Sequence, residues 1–259
     1  MSPITSFAPL SDLPAGVGIW MSTRQGGHSL APWDEFNLGD HVGDAPEHVR
    51  ANRRLLANTL GAQPVFLRQV HGTQVVELTA QTPEGTEADA CFTFTPGLAC
   101  TIMVADCLPV LFWDVQGRWV AAAHAGWRGL AGQAGTGVLE SLWSVLLARG
   151  ATPEATQVWL GPCIGPTAFE VGPEVRAAFG PDRAEVAAAF RPASAGRWWA
   201  DLPALARWRL CQMGLAEPSG NDGSSNWCTV SNAALFFSHR RDAARLGSSG
   251  RMAACIWRL

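Results

Sequence analysis

Residues 68–78, RQVHGTQVVEL, bring one strand-like run to a histidine–glycine turn and begin another directly after it. Val65–Val70 and Gln74–Leu78 are both apolar and β-branched, and no helix fits in the interval between them. Strand following strand this closely excludes a regular β–α–β alternation. Working outward, further strand runs fall at Val17–Met21, Leu98–Val104, Pro109–Trp113, Trp119–Ala123, Gln157–Leu160, Ala234–Ser238 and Met252–Trp257. Helical spacing predicts Pro46–Leu60, with Asp44 as a cap and Gly61 as the stop, and Gly135–Arg149, stopped by Gly150. Shorter helices are expected at Pro173–Phe179 and Asp201–Met213, the latter ended by Gly214. Glu217–Ser225 is the most loop-like stretch, yet strands resume beyond it, and no repeat or long linker divides the chain. The expected fold is α/β (α+β): one domain over residues 1–259, with a mixed sheet or two packed sheets flanked by helices.

Composition narrows the function. Hydrophobic residues make up 47% and charged residues 16% of the 259, which suits a large core and excludes a disordered chain. The net charge of −3 leaves no basic footprint for nucleic acid. No apolar run is long enough to span a membrane. The N-terminal MSPITSFAPLSDLP lacks the pattern of a secretory signal, so a cytoplasmic protein is expected. Seven cysteines, an odd number, point to free thiols rather than a disulfide framework. The chain contains neither lysine nor tyrosine. That removes Schiff-base chemistry, a P-loop lysine and a phenolic acid or base. Proton transfer is left to His, Cys, Asp, Glu or a metal-bound water.

Three residues suited to a metal stand at the ends of strand runs: His71 after VFLRQV, Cys107 after ACTIMVAD and His124 after RWVAAA. Aligned strands present their ends at one sheet edge, where loops on a rigid scaffold carry chemistry. Two imidazoles and a thiolate suit Zn²⁺, with the fourth tetrahedral position open. Taken one at a time, each reads more readily as a turn histidine or a small buried thiol, and their spacing matches no local metal motif. Arg128 lies in the glycine-rich turn GWRGLAGQAGTG leading into the Gly135–Arg149 helix, a candidate anion site. Those glycines can also serve the backbone alone. Trp127, between His124 and Arg128, could stack on a planar ligand. Arg68 would point to the opposite face from His71 if the strand is regular. Asp106 is a general base, a partner of the metal ligands or a turn residue.

The segments TRQGGHS, FNLGDHVGD, RQVHG, ADACFT, ADCLPVL, HAGWRG, GPCIG, FEVGPEV, FFSHRRD and GRMA occur in this order between about Ser22 and Trp257. Together they closely resemble the YfiH-like polyphenol oxidase, or laccase-domain, family, described as purine nucleoside phosphorylases with adenosine deaminase activity and in part as peptidoglycan editing factors. ADCLPVL with HAGWRG is a highly specific pair. The resemblance implies a compact α/β sandwich and makes His71, Cys107 and His124 the metal ligands. Likeness of that fold to cysteine-dependent deamidases leaves a Cys107–His124 nucleophile–base pair as an alternative. The chain departs from many relatives in having Phe169 and His239 where those have tyrosine.

The activity so implied is zinc-dependent phosphorolysis of purine nucleosides (adenosine, inosine, methylthioadenosine) with adenosine deamination. Its partners are nucleosides and phosphate, with Arg128 and the helix start after it as phosphate candidates and Arg68 and Trp127 near the substrate. Cys107, His124 and Asp106 are the expected catalytic residues. A multicopper laccase would need about eight imidazoles, and the chain has six histidines and no HxH pair. A single Cu²⁺ in the His–Cys–His site stays open. A purely structural zinc would call for a fourth protein ligand, such as His41 or His239.

Overall fold

The computed structural model describes residues 4–7, 13–180 and 182–259. The N-terminal stretch read above for a secretory signal lies in large part outside them. The chain runs through β1 (Val17–Met21), α1 (Pro46–Leu60), β2 (Gln63–Phe66), β3 (Val75–Glu77), β4 (Ala90–Thr93), β5 (Leu98–Val104), β6 (Leu108–Asp114) and β7 (Val120–Ala125). There follow α2 (Trp127–Ala131), α3 (Val138–Ala148), β8 (Thr156–Leu160), β9 (Glu170–Val171), α4 (Pro173–Ala178), α5 (Ala184–Ala188), β10 (Phe190–Pro192) and β11 (Trp198–Ala200). The last elements are α6 (Leu202–Gln212), β12 (Ser219–Gly220), α7 (His239–Leu246) and β13 (Met252–Arg258).

Two sheets carry the architecture: one ordered β1-β13-β5-β2, the other β12-β8-β6-β7-β4-β3. A small third sheet, β10-β11-β9, stands beside them. Both large sheets are mixed, with β2–β5, β3–β4 and β12–β8 parallel and the other pairs antiparallel. Side chains alternate across them with period two. In β5, Leu98, Cys100, Ile102 and Val104 enter the layer between the sheets, while Ala99 and Met103 turn to the far side with Leu56 and Leu60 of α1. In β7, Val120 and Ala122 face the inter-sheet layer, and Ala121, Ala123 and Ala125 face Leu139 and Leu142 of α3. The order of layers is therefore helix, sheet, sheet, helix. This is the predicted pair of packed sheets flanked by helices.

Several expected elements are corrected. Ala234–Ser238 is not a strand: Phe236 and Phe237 are buried, but the Phe236 amide donates to Asn232 O in a turn and Ser238 caps α7. Asp44 does not cap α1; its carboxylate is taken by the Ser29 hydroxyl (2.6 Å), Asn37 (2.8 Å) and the Ala45 amide (2.8 Å). The helix expected from Gly135 begins at Val138, because Gln133 and Thr136 pair in a tight bridge first and Gly135 takes a φ of 83°. Strand β4 and helix α7 went unpredicted, β4 because four buried residues are too short a run to show a period.

The connections that matter most change sheets. β2 and β5 belong to one sheet, β3 and β6 to the other. The links β2–β3 and β5–β6 must therefore both cross the same edge of the inter-sheet layer, and they carry His71 and Cys107.

Candidate metal centre

At that edge the ligating atoms of His71, Cys107 and His124 all lie within 4.8 Å of one another. The Cys107 thiol stands 3.7 Å from His71 Nε2, and the two imidazole rings meet edge to face at 4.7 Å. His124 follows Val120 and Ala122 in the β7 alternation, so it projects into the layer where the crossing links arrive. His71 and Asp106 take left-handed backbone angles, φ 61° and 91°. For non-glycine residues this costs on the order of 1–3 kcal/mol each, tolerated where the surroundings impose it.

What imposes it at His71 is Asp89, a fully buried carboxylate directly before β4. Its Oδ1 accepts from the His71 amide (2.9 Å) and its Oδ2 from the amides of Val70 (3.1 Å) and Gly72 (2.7 Å). Oδ1 also lies 2.8 Å from His124 Nδ1. One carboxylate thus fixes the turn carrying one imidazole and the ring of the other. With Nδ1 of His124 engaged, Nε2 is left to face the group, as in carboxylate–histidine–metal arrangements. Burial pushes Asp89 up, but His124 and the amides outweigh it and hold the carboxyl below its ordinary value.

At Cys107, burial favours the neutral thiol, yet the charge and hydrogen bonding of His124, with those of His71, bring it down to about 6. Burial likewise opposes the His124 cation, and the Cys107 thiolate together with Asp89 raises it to about 9. The thiolate is therefore the stable form near neutrality, the form a metal or an electrophile requires. HAGWRG closes over the group because Gly126 has no side chain: a Cβ there would stand 2.9 Å from both Cys107 Sγ and His71 Cδ2.

A cavity of about 470 Å³ opens in front of the three residues. Trp127, Arg128, Phe169, His239 and Arg240 line it, together with Arg251. Phe169 and His239, the two positions at which the resemblance leads to an expectation of tyrosine, therefore both face this cavity. Arg128 lays its guanidinium over the Trp127 ring at 4.5 Å, so one aromatic face is already covered. Asp106 also lines the cavity, but both oxygens are engaged, by the Thr229 hydroxyl (2.6 Å) and the Arg240 amide (2.6 Å). Its carboxylate brackets the β5–β6 turn. Arg68 is not brought to this cavity; two residues past the end of β2 it makes an isolated bridge with Glu87, pairs with that carboxylate and lines a neighbouring cavity. At the start of α3, where an anion site is expected, the Gly137 amide donates to Glu140 (2.8 Å), which pairs with Arg209. Among the described residues no fourth ligand from His41 or His239 joins the close-set group. Sequence reasoning missed Asp89 and Arg251, although both sit in quoted motifs, ADACFT and GRMA.

Two imidazoles and a thiolate gathered at the open edge of a two-sheet sandwich, before a cavity, define an enzyme framework. The chain belongs to the family described as multi-copper polyphenol oxidoreductase laccase, which matches residues 18–259. It is 47% identical over 251 residues to the purine nucleoside phosphorylase YfiH of Shigella flexneri, covering 96% of this chain and 97% of that one. It is 48% identical over 245 residues to a purine nucleoside phosphorylase of Pseudomonas aeruginosa, covering 94% of each. Among solved structures, a Neisseria meningitidis protein superposes with TM-score 0.86 at 41% identity, over 99% of both chains. The Bacillus licheniformis hypothetical protein YfiH superposes with TM-score 0.85 at 29% identity, over 94% of this chain and 93% of that one.

Proposed function

We propose that this chain is a zinc-dependent purine nucleoside phosphorylase that also deaminates adenosine. The observation that carries this is the three-ligand group facing an arginine-rich cavity in a chain so similar to proteins of that name. His71, Cys107 and His124 would hold the ion, and two nitrogens with a thiolate suit zinc with a position left open. An ion held there supplies Lewis-acid chemistry toward the substrate.

The chain's own residues do the rest. Phosphorolysis breaks the bond between ribose C1′ and the purine nitrogen and joins C1′ to a phosphate oxygen. The electron pair leaves with the base, which takes up a proton, and ribose 1-phosphate is the second product. Trp127 and Phe169 offer aromatic surface to the base, and Arg128 offers positive charge at the rim. Asp89 keeps His124 oriented, and Asp106 holds the turn that presents Cys107. Incubating the metal-loaded protein with adenosine, with and without phosphate, tests the reading. Phosphate-dependent adenine and phosphate-independent inosine are the expected products; neither appearing at micromolar enzyme would sink it.

Two other readings have some support. The contact of Asp89 with His124 beside Cys107 is also the layout of a cysteine hydrolase, in which Cys107 attacks and His124 moves the proton. Peptide or amide hydrolysis that survives complete metal removal would favour that reading, a peptidoglycan-editing role included. The family description points to copper and phenols, but only two of the chain's six histidines enter the group. That leaves room for one copper ion and not a multicopper set; stoichiometric copper with phenol turnover would reverse our ranking.

A further inference from the structure

Two conspicuous sequence segments, FNLGDHVGD and GRMA, take no part in the metal group, yet the fold packs them together against its cavity. The Arg251 amide donates to Asn37 Oδ1 (2.8 Å), and the Leu38 amide donates to Arg251 O (3.0 Å). The stem of Arg251 lies on Gly39, where a Cβ would stand 2.7 Å from Arg251 Cγ. Backbone and stem are thus held on both sides, and the guanidinium has little freedom.

Its hydrogen bonds leave it incomplete. Nη1 donates to the carbonyls of Ser249 (2.8 Å) and Gly250 (3.1 Å). Among the described residues, Nε and Nη2 have no acceptor, and no carboxylate lies within 4 Å of the group. The anionic groups that bear on it are Cys107 and Asp106, and Asp106 is already engaged by Thr229 and Arg240. The other cavity arginines differ. Arg128 and Arg240 are exposed at the mouth, lying over Trp127 and Phe169 respectively. Arg251 is half-buried, and its two unused N–H groups on one edge form a fork suited to an oxyanion.

We propose that Arg251 anchors a phosphate subsite beside the His71–Cys107–His124 group, its Nε and Nη2 edge donating to two phosphate oxygens. The assignment rests on the phosphorolytic reading above and names the residue that receives the attacking phosphate. It places the phosphate on the wall formed by GRMA, not at the rim with Arg128.

The test compares the metal-loaded wild type with Arg251→Met and Arg251→Lys, which keep most of the stem. Two responses are measured: the rise in melting temperature with inorganic phosphate, against acetate as control, and the phosphate and nucleoside KM values. In Arg251→Met the phosphate-induced rise should vanish and the phosphate KM should increase about tenfold or more, with the nucleoside KM within about twofold. Arg251→Lys, a point charge without the fork, should fall between. If Arg251→Met does not fold, the lysine variant decides, and a phosphate response equal to wild type in it overturns the proposal. So does stabilisation by phosphate that persists in Arg251→Met, or a wild type that acetate stabilises equally. If the wild type cleaves no nucleoside yet shows phosphate stabilisation dependent on Arg251, the subsite stands and the phosphorylase reading fails.

Discussion

Asp89 makes four hydrogen bonds through two oxygens, three to consecutive backbone amides and one to His124. An asparagine in its place keeps one accepting oxygen and turns an NH₂ toward groups that themselves donate. Asp89→Asn should therefore lower metal affinity about 10–100-fold, measured by competition with a chromogenic chelator, while the sheets stay folded. Nothing in ADACFT declares this role, because the carboxylate is 18 residues from His71 and 35 from His124 in sequence. At Cys107 the expected signature is a pH profile. A thiol lowered from 9.0 to about 6 is mostly thiolate at pH 7. In metal-stripped protein its alkylation rate should rise through pH 6 and level off by about pH 7, where an ordinary thiol is still rising. A half-maximum near 9 would overturn that assignment. Bound metal should protect Cys107 from alkylation.

Among the elements, the links between sheets decide the chemistry. Strands β5 and β6 are close to what their patterns predict, since each buried run alternates between two apolar layers. That these strands lie in different sheets is not visible in them, because a buried strand reads alike in either. The turn at Ala105–Cys107 becomes a crossing link only once β13 and β2 claim the edges of β5. Helix α2 went unpredicted for a related reason: five residues are too short a run to show a helical period, and its Gly129 lies close against the backbone of Gly72. Gly126→Ala should displace Cys107 and His71, reducing bound metal far below one ion per chain by elemental analysis. Leu142→Ala, on the far face of the six-stranded sheet, should cost about 2–5 kcal/mol in denaturant unfolding. Metal content of that variant should be unchanged at temperatures where it is folded.

For the whole molecule, the His71–Cys107–His124 group ties together segments of both sheets, so an ion held there should register in global stability. An ion at about a hundred times its Kd adds about 2.7 kcal/mol. In a chain of this size that corresponds to a fall of about 5–10 °C in Tm on chelation. His124→Ala should show no such chelator-dependent shift. Among the described residues no helix is long and apolar enough to cross a membrane. The sequence by itself determined the alternating buried strands, helix α1 to the residue, and which three residues have the chemistry to hold a metal, because periodicity and residue chemistry are local properties; the expected strand Val65–Val70 stops at Phe66, so His71 lies in the β2–β3 link and not at a strand end. It also limited the copper count through its histidines. Only the tertiary structure decided that His71, Cys107 and His124 share one edge, that Asp89 orients two of them, and that Arg251 rather than Arg68 faces the cavity. Those facts depend on which sheet each strand joins, and hydrogen-bond pairing between distant segments leaves no mark on either segment alone.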